Sequence, residues 1–175
     1  TVQAPDQLRF CTHIRDPNDA SSLSNNNVIY IYTTSKREVN ISTLGGGVNK
    51  IVSSPLTPDQ MTFKSYSTKS GLPFDWVLST IEDAKGNLWL IPANTLSRFN
   101  PRTEQFDNYS RDFLEHKSFY SEALPVINSQ GELFIGTSTG FMELPIAQLR
   151  KSQYVPPIVL TNIKILNDSR PIPCN

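Results

Sequence analysis

Apolar residues fall along this chain in short runs, such as Val28-Ile29-Tyr30-Ile31-Tyr32, Leu88-Trp89-Leu90-Ile91 and Leu133-Phe134-Ile135. Each run is bounded by glycine, asparagine, proline or charged residues. Runs this short and this uninterrupted suit β-strands covered on both faces rather than amphipathic helices. The middle of the chain divides into strands over 77–83, 88–91, 96–100 and 105–109, with turns at Ala84-Lys85-Gly86-Asn87 and Pro101-Arg102-Thr103. The pattern then recurs. Moving 45 residues onward, Gly86 falls on Gly131, Leu88 on Leu133, Trp89 on Phe134, Leu96 on Phe141 and Phe99 on Leu144. Moving 49 residues back, Val77 falls on Val28, Ile81 on Tyr32 and Leu88 on Val39. The closing F-x-x-Y appears as Phe63 with Tyr66 and as Phe106 with Tyr109. A period in this range marks a stacked-repeat architecture.

The expected fold is all-β: a partial β-propeller of four-stranded antiparallel blades, each sheet packed between two others. The glycines agree with this register, since all of them fall in turns or in the links between units. Residues 1–153 carry the blades, with a partial blade over 8–13 and further blades over 28–66, 77–109 and 122–144, the last without its fourth strand. Tyr154-Val155-Pro156-Pro157 is a stiff boundary. Residues 154–175 then read as a linker and one strand, over 158–166, of a following β-sandwich. Propellers close with about four to eight blades. Three and a fraction therefore read as a piece of a larger protein, with open edges expected to self-associate or to meet the remaining blades. In this setting Trp89, answered by Phe134, belongs to the packing between blades.

Composition adds limits rather than a function. Sixteen basic residues balance sixteen acidic ones, so no net field draws nucleic acid or an anionic membrane. No apolar run approaches the length of a bilayer span, and the first residues do not read as a signal peptide. Cys11 and Cys174 form no paired motif.

Catalytic constellations are missing as well. His13 and His116 have no partner at catalytic spacing, and Cys11 with His13 makes too small a ligand set for a metal. Glu82 and Asp83 are neighbours on a strand and point to opposite faces, so Asp83 is assigned to holding the turn it opens. Gly45-Gly46-Gly47 lacks the lysine and the helix of a phosphate loop. Neither an enzyme site, nor a metal, nor a cofactor is expected.

Three stretches together point to a family. Ser22-Leu23-Ser24-Asn25-Asn26-Asn27-Val28, Thr43-Leu44-Gly45-Gly46-Gly47-Val48-Asn49-Lys50 and Ile81-Glu82-Asp83-Ala84-Lys85-Gly86-Asn87-Leu88-Trp89 resemble the two-component regulator propeller repeat. That repeat builds the periplasmic sensor region of hybrid two-component histidine kinases. The stretch from Tyr154 to Lys164 resembles the opening of the tyrosine-rich, immunoglobulin-like domain that follows those repeats. The resemblance implies a non-catalytic periplasmic sensor of a glycan-derived ligand. The whole protein would be an inner-membrane histidine kinase, with the kinase outside this chain. The alternative is a propeller used as a scaffold for protein–protein interaction. The first unit departs from the repeat, with Thr34, Arg37 and Asn40 in place of Asp, Gly and an aromatic residue, so a looser first turn is expected there. In the middle unit Ile91-Pro92 stands where Gly-Thr is expected, which predicts a reshaped second turn.

Up-and-down topology brings the second turn of each blade and the link to the next onto one face. That face carries Asn26, Asn27, Asp75 and Trp76, which are the candidate ligand-binding residues. Trp76 is the leading candidate for a platform on which a sugar of an oligosaccharide ligand would stack.

Overall fold

The computed structural model describes residues 11–53, 61–110, 114 and 118–149, together with the backbone of two later strands. Strands β1 (Val28–Thr33), β2 (Val39–Thr43), β3 (Gly47–Ile51) and β4 (Phe63–Tyr66) form one antiparallel sheet in that order. Strands β5 (Val77–Glu82), β6 (Leu88–Pro92), β7 (Thr95–Asn100) and β8 (Gln105–Ser110) form the second. Strands β9 (Val126–Ile127), β10 (Glu132–Thr137) and β11 (Gly140–Pro145) form a third, with no fourth strand among the described residues. These sheets are propeller blades. Beyond them β12 (Asn162–Ile165) pairs with β13 (Asp168–Pro171), so two short strands stand where the sequence suggests one. The segment at 8–13 forms no strand in its described part, and residues 8–10 lie outside the described residues.

The repeat holds pair by pair. In blade 2 Trp89 lies opposite Ile81 and Arg98. In blade 3 Phe134 lies opposite Val126 and Glu143, each 45 positions on. Both complete blades slip register at the same place in their first strand, between Val28 and Tyr30 and between Val77 and Ser79. A bulge here adds local twist, and its recurrence makes it a feature of the repeat.

The first turn of each blade closes with one scheme. The Gly86 N–H donates to the Asp83 carbonyl at 2.9 Å, and Asp83 Oδ1 accepts the Lys85 and Asn87 N–H groups, both at 2.9 Å. Asn128 does the same for Gln130 and Glu132. Thr34 accepts the Glu38 N–H at 3.1 Å, while the Arg37 N–H reaches the Thr34 carbonyl at 2.9 Å. The first blade's turn is therefore not looser. The departure from the repeat appears instead as strain, because Arg37 occupies φ 64° where the other blades have Gly86 and Gly131 at 79° and 81°. A β-carbon is disfavoured in that left-handed region.

Two apolar layers join the blades. Val48 and Tyr66 of blade 1 meet Leu88, Leu90 and Phe99 of blade 2. Trp89, Ile91, Leu96 and Tyr109 of blade 2 meet Leu133, Ile135 and Tyr120 on the blade 3 side. Trp89 is 0% exposed, lies 5.9 Å from the Tyr109 ring in a stacked arrangement, and donates its Nε1–H to Asp83 Oδ2 at 3.0 Å. One carboxylate thus fixes both a turn and the largest side chain of the layer. On the opposite side of blade 1, Leu23, Ile41 and Phe63 form a third cluster, and His13 packs edge-on to Phe63 at 5.9 Å.

Candidate functional site

Links and second turns meet on one face. The Gly45 and Gly47 N–H groups donate to the Asp75 carbonyl at 3.0 and 2.8 Å, and the Tyr120 N–H donates to the Ala93 carbonyl at 3.0 Å. The link from blade 1 to blade 2 carries a short 3₁₀ turn, Thr68–Ser70, capped by the Ser67 side chain and ended by Gly71 at φ 104°. Asp75 ties the link back on itself. Its Oδ1 accepts the Thr68 N–H at 2.7 Å and its Oδ2 accepts the Thr68 hydroxyl at 3.2 Å.

These contacts hold Trp76 in place without burying it. Its backbone bridges to Leu44, while its side chain is 57% exposed beside Phe74, which is 44% exposed. The two aromatic residues, with Thr68, Pro73 and Asp75, form one wall of a cleft of about 450 Å³. Ala93 and Asn94, from the second turn of blade 2, form the other. Asn94 Oδ1 is buried there with no hydrogen-bond partner. A buried acceptor left unpaired costs about 1–3 kcal/mol, so a donor brought to Asn94 Oδ1 would relieve that cost. Two exposed aromatic residues beside a waiting acceptor match a ligand that presents an apolar ring face and hydroxyl groups.

The four candidates from the sequence are placed differently. Trp76 and Asp75 line the cleft, but the Asp75 carboxylate is engaged by Thr68. Asn26 and Asn27 are exposed and do not line it. Asn26 Oδ1 accepts the Arg15 N–H at 2.6 Å, and the Asn27 carbonyl accepts the Leu44 N–H at 2.9 Å. Their neighbour Asn25 stands nearer, across Gly45 from the Trp76 ring: a β-carbon on Gly45 would lie 3.3 Å from Asn25 Nδ2 and 3.7 Å from Trp76 Nε1. Sequence reasoning did not nominate Asn94 and Phe74, which also line the cleft. The reshaped second turn expected after Ile91-Pro92 was the available signal for Asn94.

The opposite face is more than a row of solvated turns. A cleft of about 470 Å³ opens there between Asp83–Asn87 and Asn128–Gly131, above Ile127 and Ile146. Several of its polar groups already have partners. Asp83 holds its turn and Trp89, Asn128 holds its own turn, and Arg98 Nη2 meets Asp107 Oδ2 at 2.5 Å, which raises the guanidinium's pKa further. Among the described residues lining these two clefts, Asn94 Oδ1 is the buried side-chain acceptor without a hydrogen-bond partner.

Among the described residues no group of three or more His, Cys, Asp or Glu side chains is placed to hold a metal ion. His116 and Cys174 lie outside the described residues. No helix among the described residues is long and apolar enough to cross a membrane.

No family model matches the chain. Its fold is similar to the extracellular domain assigned to a hybrid two-component system of B. thetaiotaomicron, with a TM-score of 0.61 and 23% identity over 78% of this chain. A second such extracellular domain from that organism covers 92% of the chain at 18% identity and a TM-score of 0.49. In sequence, the chain is 26% identical over 103 residues to "Histidine kinase P4" of Formosa agariphila. The chain spans 18% of the first solved domain and 8% of that kinase. The likeness to the first of these domains shows the blade architecture.

Proposed function

We propose that this chain is part of the extracellular or periplasmic ligand-reading region of a two-component sensor kinase, and that the cleft at Trp76 takes a carbohydrate. The observation that carries the reading is the pairing of Trp76 and Phe74, both exposed, with the unpartnered Asn94 acceptor across the cleft. Sugar rings present C–H faces that stack on aromatic side chains and hydroxyls that donate to amide oxygens. The fold's likeness to extracellular domains of two-component systems supports the sensor reading, as does the similarity to a histidine kinase. The chain itself acts without catalysis, and the kinase lies in another part of a longer, membrane-anchored protein.

The cleft also suggests how a ligand is reported. One wall belongs to the link leaving blade 1 and the other to the second turn of blade 2. A bound sugar touches both and so favours one setting of the two blades over others.

The test is a glycan array of neutral and uronate-containing oligosaccharides probed with this chain, followed by titration calorimetry on the hits. Trp76→Ala and Asn94→Ala should each lower affinity at least tenfold while leaving the far-ultraviolet circular dichroism unchanged. Asn26→Ala should bind like the parent. Binding that survives both cleft substitutions removes the site, and a blank array removes the carbohydrate reading.

A further inference from the structure

The Nε1 edge of Trp76 borders a notch that the cleft does not include. Gly45 is exposed there, at φ 106°, and the space left by its missing β-carbon is flanked by two nitrogen donors. A β-carbon at Gly45 would lie 3.3 Å from Asn25 Nδ2 and 3.7 Å from Trp76 Nε1, and apart from residues 44 and 46 no other described atom comes within 4 Å of it. The Asn25 amide is fixed in orientation. Its Oδ1 accepts the Asn27 N–H at 2.8 Å, so Nδ2 is the end turned towards Gly45. Among the described residues neither Asn25 Nδ2 nor Trp76 Nε1 donates a hydrogen bond, whereas the Trp89 indole is already bonded to Asp83. One oxygen placed in the notch comes within reach of both donors.

The kind of oxygen follows from the surroundings. A hydroxyl brings a proton that needs an acceptor of its own, and both described neighbours of the vacant position are donors. A carboxylate has the lone pairs but meets the Asp75 carboxylate in the adjoining cleft wall, where no Lys or Arg is among the lining residues, and like charges brought together cost affinity. A neutral carbonyl offers two lone pairs without proton or charge, and on a sugar that group is an acetamido substituent. We propose, resting on the carbohydrate reading of the adjoining cleft, that the notch between Asn25, Gly45 and Trp76 takes the acetamido carbonyl of a 2-acetamido sugar whose ring stacks on Trp76. Asn25 is then the residue that sets specificity, since a site that hydrogen-bonds one substituent discriminates against the analogue lacking it.

Nitrogen-15 NMR reads both donors directly. The labelled chain is titrated with chitotriose and cellotriose, which share a backbone and differ only in the 2-substituent, and with the methyl β-glycosides of N-acetylgalactosamine and galactose as a second such pair. The acetamido member of at least one pair should move the Trp76 indole and Asn25 amide signals together, with Kd roughly tenfold below that of its hydroxyl twin, while the buried Trp89 indole signal stays put. Asn25→Asp keeps the oxygen that holds the Asn27 N–H and loses the donor, so it should erase the preference and leave the twin's own affinity unaltered. Trp76→Phe keeps an aromatic face without the indole N–H and should erase the preference too. Equal affinities within both pairs overturn the proposal, and if Asn94→Ala then weakens both members the carbohydrate reading of the cleft survives that loss. A preference that persists in both variants overturns the assignment of the notch. Signals unmoved by all four sugars overturn it as well, and the glycan array then decides whether the cleft reading falls with it. Tighter binding of trigalacturonate than of either acetamido sugar gives the notch to a carboxylate and likewise overturns the proposal.

Discussion

Replacing Trp89 by alanine should be the most damaging single change in the blades. The side chain is fully buried between blades 2 and 3, stacks on Tyr109 and donates to Asp83. Truncating a buried tryptophan costs about 3–5 kcal/mol through lost burial and the cavity left behind. Losing the indole hydrogen bond adds about 1 kcal/mol rather than a full desolvation penalty, because Asp83 still accepts from the Lys85 and Asn87 backbone N–H groups and from Asn87 Nδ2. Set against a folding stability of roughly 5–15 kcal/mol, the change removes about a quarter or more of it. At about 2–4 °C per kcal/mol for a chain of this size, Tm should fall by roughly 8–24 °C. Trp76→Ala is the control, since its ring is mostly in solvent and its position is held by backbone contacts, and Tm should move by about 2 °C or less. Thermal melts followed by circular dichroism, with urea titration of the same proteins, read both numbers. Equal shifts for the two variants would refute the assignment of Trp89 to the interblade layer and of Trp76 to the cleft.

Arg37→Gly should stabilise the protein by about 0.5–1 kcal/mol, since relief of the left-handed strain outweighs the added chain freedom; an unchanged or lower urea midpoint would count against this. Gly47→Ala should abolish soluble folded protein, because the new methyl carbon would lie 2.0 Å from the Tyr66 carbonyl oxygen at a φ of 72°, and a normal melt would show that this turn yields. Lys64 and Tyr66 of blade 1 both hydrogen-bond Glu104 of blade 2's third turn and hold its carboxyl below the ordinary value of 4.5. A depressed folded pKa stabilises above the unfolded value and loses that contribution as pH falls through the folded one. Glu104→Gln should therefore flatten the loss of stability below about pH 4.5 while leaving the slope from pH 6 to 8 unaltered.

What the amino-acid sequence determined was the repeat and everything that follows from local chemistry. Short, uninterrupted apolar runs marked the strands, glycine and Asx residues marked the turns, and a shared offset placed Trp89 at the register position of Phe134. These features are legible because a strand's pairing and a turn's hydrogen bonds depend on residues a few positions apart. The same reasoning located the face on which Trp76 lies, since topology alone sends links and second turns to one side. Tertiary structure decided which polar groups on that face are spent and which are free. Asn26 and Asp75 looked available in the sequence, yet Arg15 and Thr68 occupy them, whereas Asn94 looked like turn filler and keeps an unmatched oxygen. A group's hydrogen-bonding need is settled by neighbours brought from other elements, and no local pattern records which of them arrive.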